Sequence, residues 1–317
     1  MSGDKISIIV LGYTRFAETT GPCLESLARD PDFPSWDVIL VDNGTDETVR
    51  ALSQQAAVTY PTLRLLRLDV NAGFAGGMNA GLRIARGDPI MLLNSDLKVP
   101  AGMIGRLAAA LRSHPEAGLI APVTNAAGNE QHIFTDPAQD VMRQGHAFAD
   151  AADNGCVMPY RLDFCCVALS RKAYEILGGL DEAFGPGYFE DFDYSLRAKR
   201  AGFDLLVAEN VFVYHEGSAS FGRASRAKKA LMARNRRLLL ERHGGEVRLV
   251  NRRETNLAVL AQYAAAAEVG RPPPPLRVAN RMRLAVTDVP KGPFKRWRYR
   301  RRVAAVARRL RAAGCAV

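Results

Sequence analysis

The chain has 317 residues, 48% of them apolar, enough for a full hydrophobic core in one large domain or one domain with an appendage. Five cysteines, Cys23, Cys156, Cys165, Cys166 and Cys315, form neither an even framework nor a CxxC zinc pattern, so reduced, buried thiols are expected. The net charge of +10 is uneven: residues 223–317 carry 25 Lys/Arg against 5 Asp/Glu, a net of +20, which leaves −10 for residues 1–222.

The elements follow in chain order. Met1 to Lys5 is polar and leads into a short apolar run, Ile6–Leu11, too short for a signal peptide or a membrane span. No later run reaches 18 apolar residues, and a cytoplasmic protein is expected. Ile6–Leu11, Val38–Val41, Leu63–Leu68 and Ile90–Leu93 read as buried strands. Amphipathic stretches near 17–29, 46–56 and 74–86 lie between them, and another follows at 100–113. Alternation of apolar strands with helices predicts a parallel α/β sheet with ligands beyond the carboxyl ends of its strands. Residues 124–160 read as a long polar loop. Leu162–Leu169 resumes a strand, Arg171–Leu177 a short helix, Asp191–Ala201 a helix and Val211–Tyr214 a last strand. From 223 the pattern is helical and basic. Pro272–Pro275 marks a stiff linker, and a basic helix over roughly 293–313 closes the chain.

Polar residues stand directly after the strands, where that architecture puts ligands. Asp42-Asn43-Gly44 follows the second strand. The third is followed by Asn71-Ala72-Gly73-Phe74 and a glycine-rich helix start running to Gly81. That stretch fits either a phosphate cradle or close helix–sheet packing, and it lacks a GxGxxG register. Asn94-Ser95-Asp96 follows the fourth strand, and His215 the last. Glu190-Asp191-Phe192-Asp193 opens a helix behind the turn Gly185-Pro186-Gly187-Tyr188-Phe189. The remaining histidines, His114, His132, His146 and His243, read as structural.

In this order and at these spacings, the sequence resembles the family 2 glycosyltransferases. The likeness covers about residues 5–222. It is carried by SIIVLGYTR, VDNGTDE, NAGFAGGMNAGLRIARGD, LLNSD, GGLDEAF, FEDFDYSLRAKRAGF and VYHEGSAS, and is strongest to a bacterial rhamnosyltransferase-like branch. It implies a GT-A fold, an α/β Rossmann-like mixed sheet flanked by helices, over residues 1–222. Residues 223–317 then form a basic, mainly helical extension. The implied activity is inverting transfer of a sugar from a nucleoside diphosphate, dTDP- or UDP-linked, to a hydroxyl of a glycan or lipid-linked acceptor in cell-surface polysaccharide synthesis.

The resemblance also assigns residues. Asp42 matches the carboxylate that accepts from the donor's base. Leu11, Tyr13, Asn71, Gly73, Phe74, Asn79, Asn94 and Ser95 join it in the donor site. Asp96 ends the Asp-X-Asp motif and matches a ligand to Mg²⁺ or Mn²⁺, with His215 as the second ligand. Asn94 departs from that motif, which has an acid there, and removes one negative charge from the metal site. Asp191 matches the general base and Glu190 its orienting neighbour. Tyr188 and Phe189 either stack on the acceptor sugar or pack. Asp193 either serves the acceptor or caps the helix dipole.

Two other readings compete. A sugar-phosphate nucleotidyltransferase needs a glycine-rich loop after the first strand, where this chain has Gly12-Tyr13-Thr14-Arg15. A nucleic-acid-binding protein is permitted by the basic C-terminus with Trp297 and Tyr299, but the acidic body argues against it. The basic third is instead expected to meet an anionic surface, such as the inner face of the plasma membrane or a polyprenyl-diphosphate acceptor. The plainer alternative is a helical subdomain that packs on the body or makes a homo-oligomer.

Overall fold

A computed structural model describes residues 5–151, 155–217 and 226–317. In chain order its elements are β1 (Ser7–Gly12), α1 (Thr20–Ala28), β2 (Asp37–Asn43), α2 (Glu47–Thr59), β3 (Leu63–Leu68), α3 (Gly73–Ile84), β4 (Ile90–Asn94), β5 (Leu97–Lys98), α4 (Met103–Arg112), β6 (Ala117–Thr124), α5 (Val141–Ala149), β7 (Cys156–Val157), β8 (Cys166–Leu169), α6 (Arg171–Leu177), α7 (Glu190–Arg200), β9 (Asp204–His215), α8 (Arg226–His243), α9 (Arg252–Glu268), α10 (Pro275–Thr287) and α11 (Pro293–Ala312). They fall into two compact units that interleave along the sequence. One comprises Met1–Ala121, Arg161–Leu205 and His215–Arg248; the other comprises Pro122–Tyr160, Leu206–Tyr214 and Leu249–Val317. The expected boundary at 222/223 lies outside the described residues, as do Ser218–Ser220 of the VYHEGSAS motif and Met1–Asp4 of the polar start. Helix α8, the first of the basic stretch, groups with the first unit.

In the first unit the strands run in the order β3-β2-β1-β4-β8-β6. β1 pairs parallel with β2 and β4, and β2 parallel with β3. β8 is antiparallel to both β4 and β6, so the sheet is mixed. The continuous apolar runs explain the centre: every residue of β2, and Ile90 to Leu93 of β4, is buried, as strands covered on both faces must be. The glycines of α3 act through close approach. A Cβ on Gly81 would lie 2.5 Å from Ile9, and one on Gly77 2.4 Å from Leu11, so both positions let the helix rest on β1. Between the two readings of this stretch, helix–sheet packing accounts for these positions.

Caps explain the sharper boundaries. Ser170 accepts from the Ala173 amide and starts α6, and Asp46 accepts from Val49 and starts α2. Three expectations change. Residues 124–160 are not all loop: α5 begins where Asp140 caps the Arg143 amide, and β7 follows. The strand expected over Leu162–Leu169 starts at Cys166; the Cys165 carbonyl still accepts from the Asn94 amide of β4, whereas the Leu162 amide bonds Ser195 Oγ. Pro272–Pro275 is less a linker than a helix start, with Pro274 at the N-cap and Pro275 the first residue of α10.

The second unit packs α9, α10 and α11 together, and β7 pairs antiparallel with β9. Its core holds a buried carboxylate, Glu209, which accepts from the Tyr263 hydroxyl at 2.6 Å and from Arg281 at 2.9 Å. A buried charge is tolerable only with such partners. Among the described residues no helix is long and apolar enough to cross a membrane, and none of the five cysteines is in a disulfide.

Candidate active site

The parallel register aligns the carboxyl ends of β1, β2 and β4 in the first unit. Gly12 pairs with Asp42, and Leu11 with Asn94. Asp42 is buried; its Oδ1 accepts from the Thr45 amide at 3.2 Å, and its Oδ2 has no hydrogen-bond partner among the described residues. A buried carboxylate oxygen left open is costly unless a ligand donor completes it. Tyr13 is exposed just beyond β1.

Asn43, absent from the expected site, ties that corner together. Its Nδ2 donates to Asn71 Oδ1 and to the Gly73 carbonyl, both at 3.1 Å, and its Oδ1 accepts from the Ala72 amide at 2.9 Å. Asn71 Oδ1 also accepts from the Gly73 amide. Gly73 has φ +72°, and a Cβ there would lie 2.3 Å from the Gly185 carbonyl oxygen. The Phe74 amide donates to the Pro186 carbonyl at 3.3 Å. The start of α3 is thereby held against the turn that precedes Glu190. Asn79 departs from the donor-site expectation. It is buried and its amide bonds the Leu180 amide and carbonyl and Glu182, so it positions residues 180–182.

At the end of β4, Asp96 Oδ1 lies 3.3 Å from His215 Nε2, both side chains largely buried. The Asp96 carbonyl accepts from the Glu216 amide at 3.0 Å, which fixes the approach of the β9 end. Burial disfavours the His215 cation, yet Cys165 and Asp96 beside it outweigh burial and raise its pKa to about 11. Two cis ligands on an octahedral ion with bonds of about 2.1 Å stand roughly 3 Å apart. The observed spacing is close to that, and it is equally that of the hydrogen-bonded ion pair the raised pKa implies, so a divalent cation held by this pair would displace the His215 proton. Among the described residues no cluster of three or more His, Cys, Asp or Glu that could hold a metal gathers.

Asp191 and Glu190 open α7. Burial raises the Asp191 pKa to about 6, with Arg161 opposing and Asp163 adding to the rise. Arg161 Nη1 is 3.8 Å from Asp191 Oδ2 and also pairs with Asp163. Glu190 is buried, its Oε2 has no partner among the described residues, and burial with the Asp191 charge raises it to about 8. Two adjacent carboxyls thus divide: the first proton to leave on raising pH comes from Asp191, and Glu190 stays neutral longer.

Of the two readings of Asp193, its bonding favours the structural one: it is buried, with Oδ2 on Arg197 Nε at 2.8 Å and Oδ1 on His243 Nε2 at 2.7 Å, so both oxygens are bonded inside the fold. Tyr188 and Phe189 have φ of +72° and +77°, a conformation side chains rarely adopt. The strain is held by Asn235 of α8. Its Nδ2 lies within 2.7–3.0 Å of the carbonyls of Phe184, Gly187 and Tyr188. Lys228 Nζ sits 5.2 Å over the Tyr188 ring.

Residues 161–165, which sequence reasoning read only as loop and strand, join the two halves of the site. The Asn94 amide donates to the Cys165 carbonyl at 2.8 Å, the Phe164 amide bonds the Asp191 carboxylate, and Cys165 adjoins His215. The available signal was a charged pair, Arg161 and Asp163, directly before a buried strand.

Residues 7–174 match the family model described as glycosyl transferase family 2. The chain belongs to that family. The putative glycosyltransferase EpsE of Bacillus subtilis is 26% identical over 229 residues, covering 71% of this chain and 77% of EpsE. The O-antigen biosynthesis protein RfbC of Myxococcus xanthus is 26% identical over 231 residues, 68% of this chain but 18% of RfbC. Among solved structures, GalNAc-T7 with UDP, GalNAc and Mn²⁺ superposes with a TM-score of 0.59 at 12% identity, over 98% of this chain and 54% of its own. The mixed α/β sheet with flanking helices is accordingly a GT-A fold. The chain spans about half the length of that structural relative and under a fifth of RfbC.

Proposed function

We propose that this family 2 member transfers a sugar, with inversion, from a nucleoside-diphosphate donor to a hydroxyl of a glycan or lipid-linked acceptor in polysaccharide synthesis. The observation that carries the reading is the 3.3 Å pairing of Asp96 with His215, brought from the ends of β4 and β9 to the carboxyl edge of the sheet. Asp42 Oδ2 is open to the imide N–H of a uracil or thymine base. Leu11, Tyr13, Phe74, Asn94 and Ser95 border the same edge, and Asn43 and Asn71 hold its backbone. Asp96 and His215 would hold Mg²⁺ or Mn²⁺, which when bound supplies positive charge to the departing diphosphate.

Asp191 takes the proton of the acceptor hydroxyl as its oxygen attacks the anomeric carbon, while the bond from that carbon to the diphosphate breaks. A carboxylate with a pKa near 6 is ionised at neutral pH and remains more basic than an ordinary aspartate. Arg161 keeps it oriented. Glu190, neutral at pH 7, supplies a carboxyl that donates to or accepts from the acceptor. Tyr188 and Phe189 form the acceptor side of the strained turn. The thymidine or uridine donor rests on the likeness to rhamnosyltransferase-like sequences.

A thermal-shift screen of nucleotide sugars with Mn²⁺ or Mg²⁺ tests this. The expected result is a rise in Tm with a nucleoside-diphosphate sugar that depends on the metal. Stabilisation by nucleoside triphosphates and sugar phosphates, but not by the diphosphate sugar, would overturn it in favour of nucleotidyl transfer.

A further inference from the structure

Helix α11 has a buried side and an unusual outer one. Tyr299, Val303, Ala307 and Leu310 recur at helical spacing and form its buried face against α9. The opposite pole, at the same spacing, carries Phe294, Trp297, Arg298 and Arg301. Phe294 is 66% exposed and Trp297 52%, with their rings stacked at a centroid distance of 6.0 Å. Arg301 lies 4.8 Å over Trp297, and Arg298 5.9 Å over Phe294. Arg296 and Arg300 flank this pole on one side, Lys295 and Arg302 on the other. Arg302 pairs with Glu254.

The Lys295 flank borders a cavity of about 590 Å³ lined by Arg253, Glu254, Lys291, Lys295, Arg298 and Arg302 around Tyr299; Arg253 pairs with Asp288 and Arg302 with Glu254, and Lys291, Lys295 and Arg298 are the further cations. Tyr299 is 4% exposed, and its hydroxyl has no hydrogen-bond partner among the described residues. A buried hydroxyl without an acceptor, in a cavity rich in cations, lacks what a phosphate oxygen would provide.

We propose that this end of α11 docks on an anionic phospholipid surface. Phe294 and Trp297 enter the headgroup layer, Lys295, Arg296, Arg298, Arg300 and Arg301 meet lipid phosphates, and the Tyr299 cavity takes one phosphorylated headgroup. Apolar rings at the pole with cations on both shoulders are the order an interfacial helix needs. A single-stranded nucleic acid would also use cations and aromatics, but it needs open ring faces for its bases. Here each ring already has the other ring and an arginine against it. The proposal does not depend on the sugar-transfer reading.

The test uses the full chain with vesicles of phosphatidylcholine alone or mixed with phosphatidylglycerol. Co-sedimentation is expected only with phosphatidylglycerol, together with a blue shift of tryptophan emission. Trp36 is already buried, so the shift reports Trp297. Lys295→Gln and Arg300→Gln each weaken partition roughly fivefold. Phe294→Ser/Trp297→Ser and Tyr299→Phe also weaken it, while Arg308→Gln/Arg311→Gln at the far end of the helix has much less effect. The donor-induced thermal shift stays unchanged in the exposed Lys295, Arg300 and Phe294/Trp297 variants, so failed vesicle binding would leave the transfer reading standing. Absence of phosphatidylglycerol-dependent binding would overturn the proposal. So would equal loss at Arg308/Arg311, or binding of a single-stranded RNA oligonucleotide through the same residues without vesicle binding.

Discussion

Helices α8 and α11 come from one basic stretch and do opposite things with their polar side chains. On α8, Asn235 bonds three carbonyls of the turn before α7, Arg234 donates to the Ala183 carbonyl, and His243 bonds Asp193. These groups point into the unit that carries Asp191. On α11 exposed cations surround two exposed aromatic rings. Composition therefore says little about what a basic helix does; the direction of its side chains decides.

The largest expected effect tests whether α8 braces a catalytic turn at all. Asp191→Asn should lower kcat by about 10²–10⁴-fold with donor binding retained in a thermal-shift titration. The wild-type kcat/KM profile should fall below an apparent pKa near 6, where Asp191 takes up its proton. A profile flat down to pH 5 would remove Asp191 as the base.

Next comes the brace itself. Asn235→Ala leaves three carbonyls short of a donor in a buried position and should destabilise by about 3 kcal/mol in denaturant unfolding, with a fall in transfer. Arg300→Ala on α11 should do neither. Equal effects would erase the contrast between the helices.

Glu190→Gln separates burial from catalysis. A glutamate raised to about 8 in the fold is stabilising only while protonated, so its penalty appears above the unfolded value near 4.5 and grows until about pH 8. The glutamine variant should gain Tm relative to wild type across that window and show no gain at pH 4. A pH-independent difference would contradict the raised pKa. The smallest effect belongs to the exposed pair Arg302–Glu254: Glu254→Ala should change stability by under about 1 kcal/mol.

Much of the site was legible because strand ends are marked by a switch from apolar to polar residues. Asp42, Asn94, Asp96 and His215 could be found that way. Asn43 stands at the same strand end as Asp42, but its bonds to Asn71, Ala72 and Gly73 carry no local sign, and neither do the bonds of Asn235, in a basic helix, to three distant carbonyls. Asp193 looked like its neighbours in Glu190-Asp191-Phe192-Asp193, yet one helical turn brings it to Arg197, and His243 arrives from α8.

By itself the sequence determined the alternation of buried strands and helices, the parallel core β1–β4 and the family motifs, because these depend on hydrophobic period and short spacing. Tertiary structure alone decided that β8 runs antiparallel beside β4, that residues 161–165 link Asn94 to Asp191, and that one basic helix holds the turn before α7 while another carries exposed aromatic rings. Those outcomes depend on which distant polar groups must satisfy one another once water is removed, and local pattern does not encode that pairing.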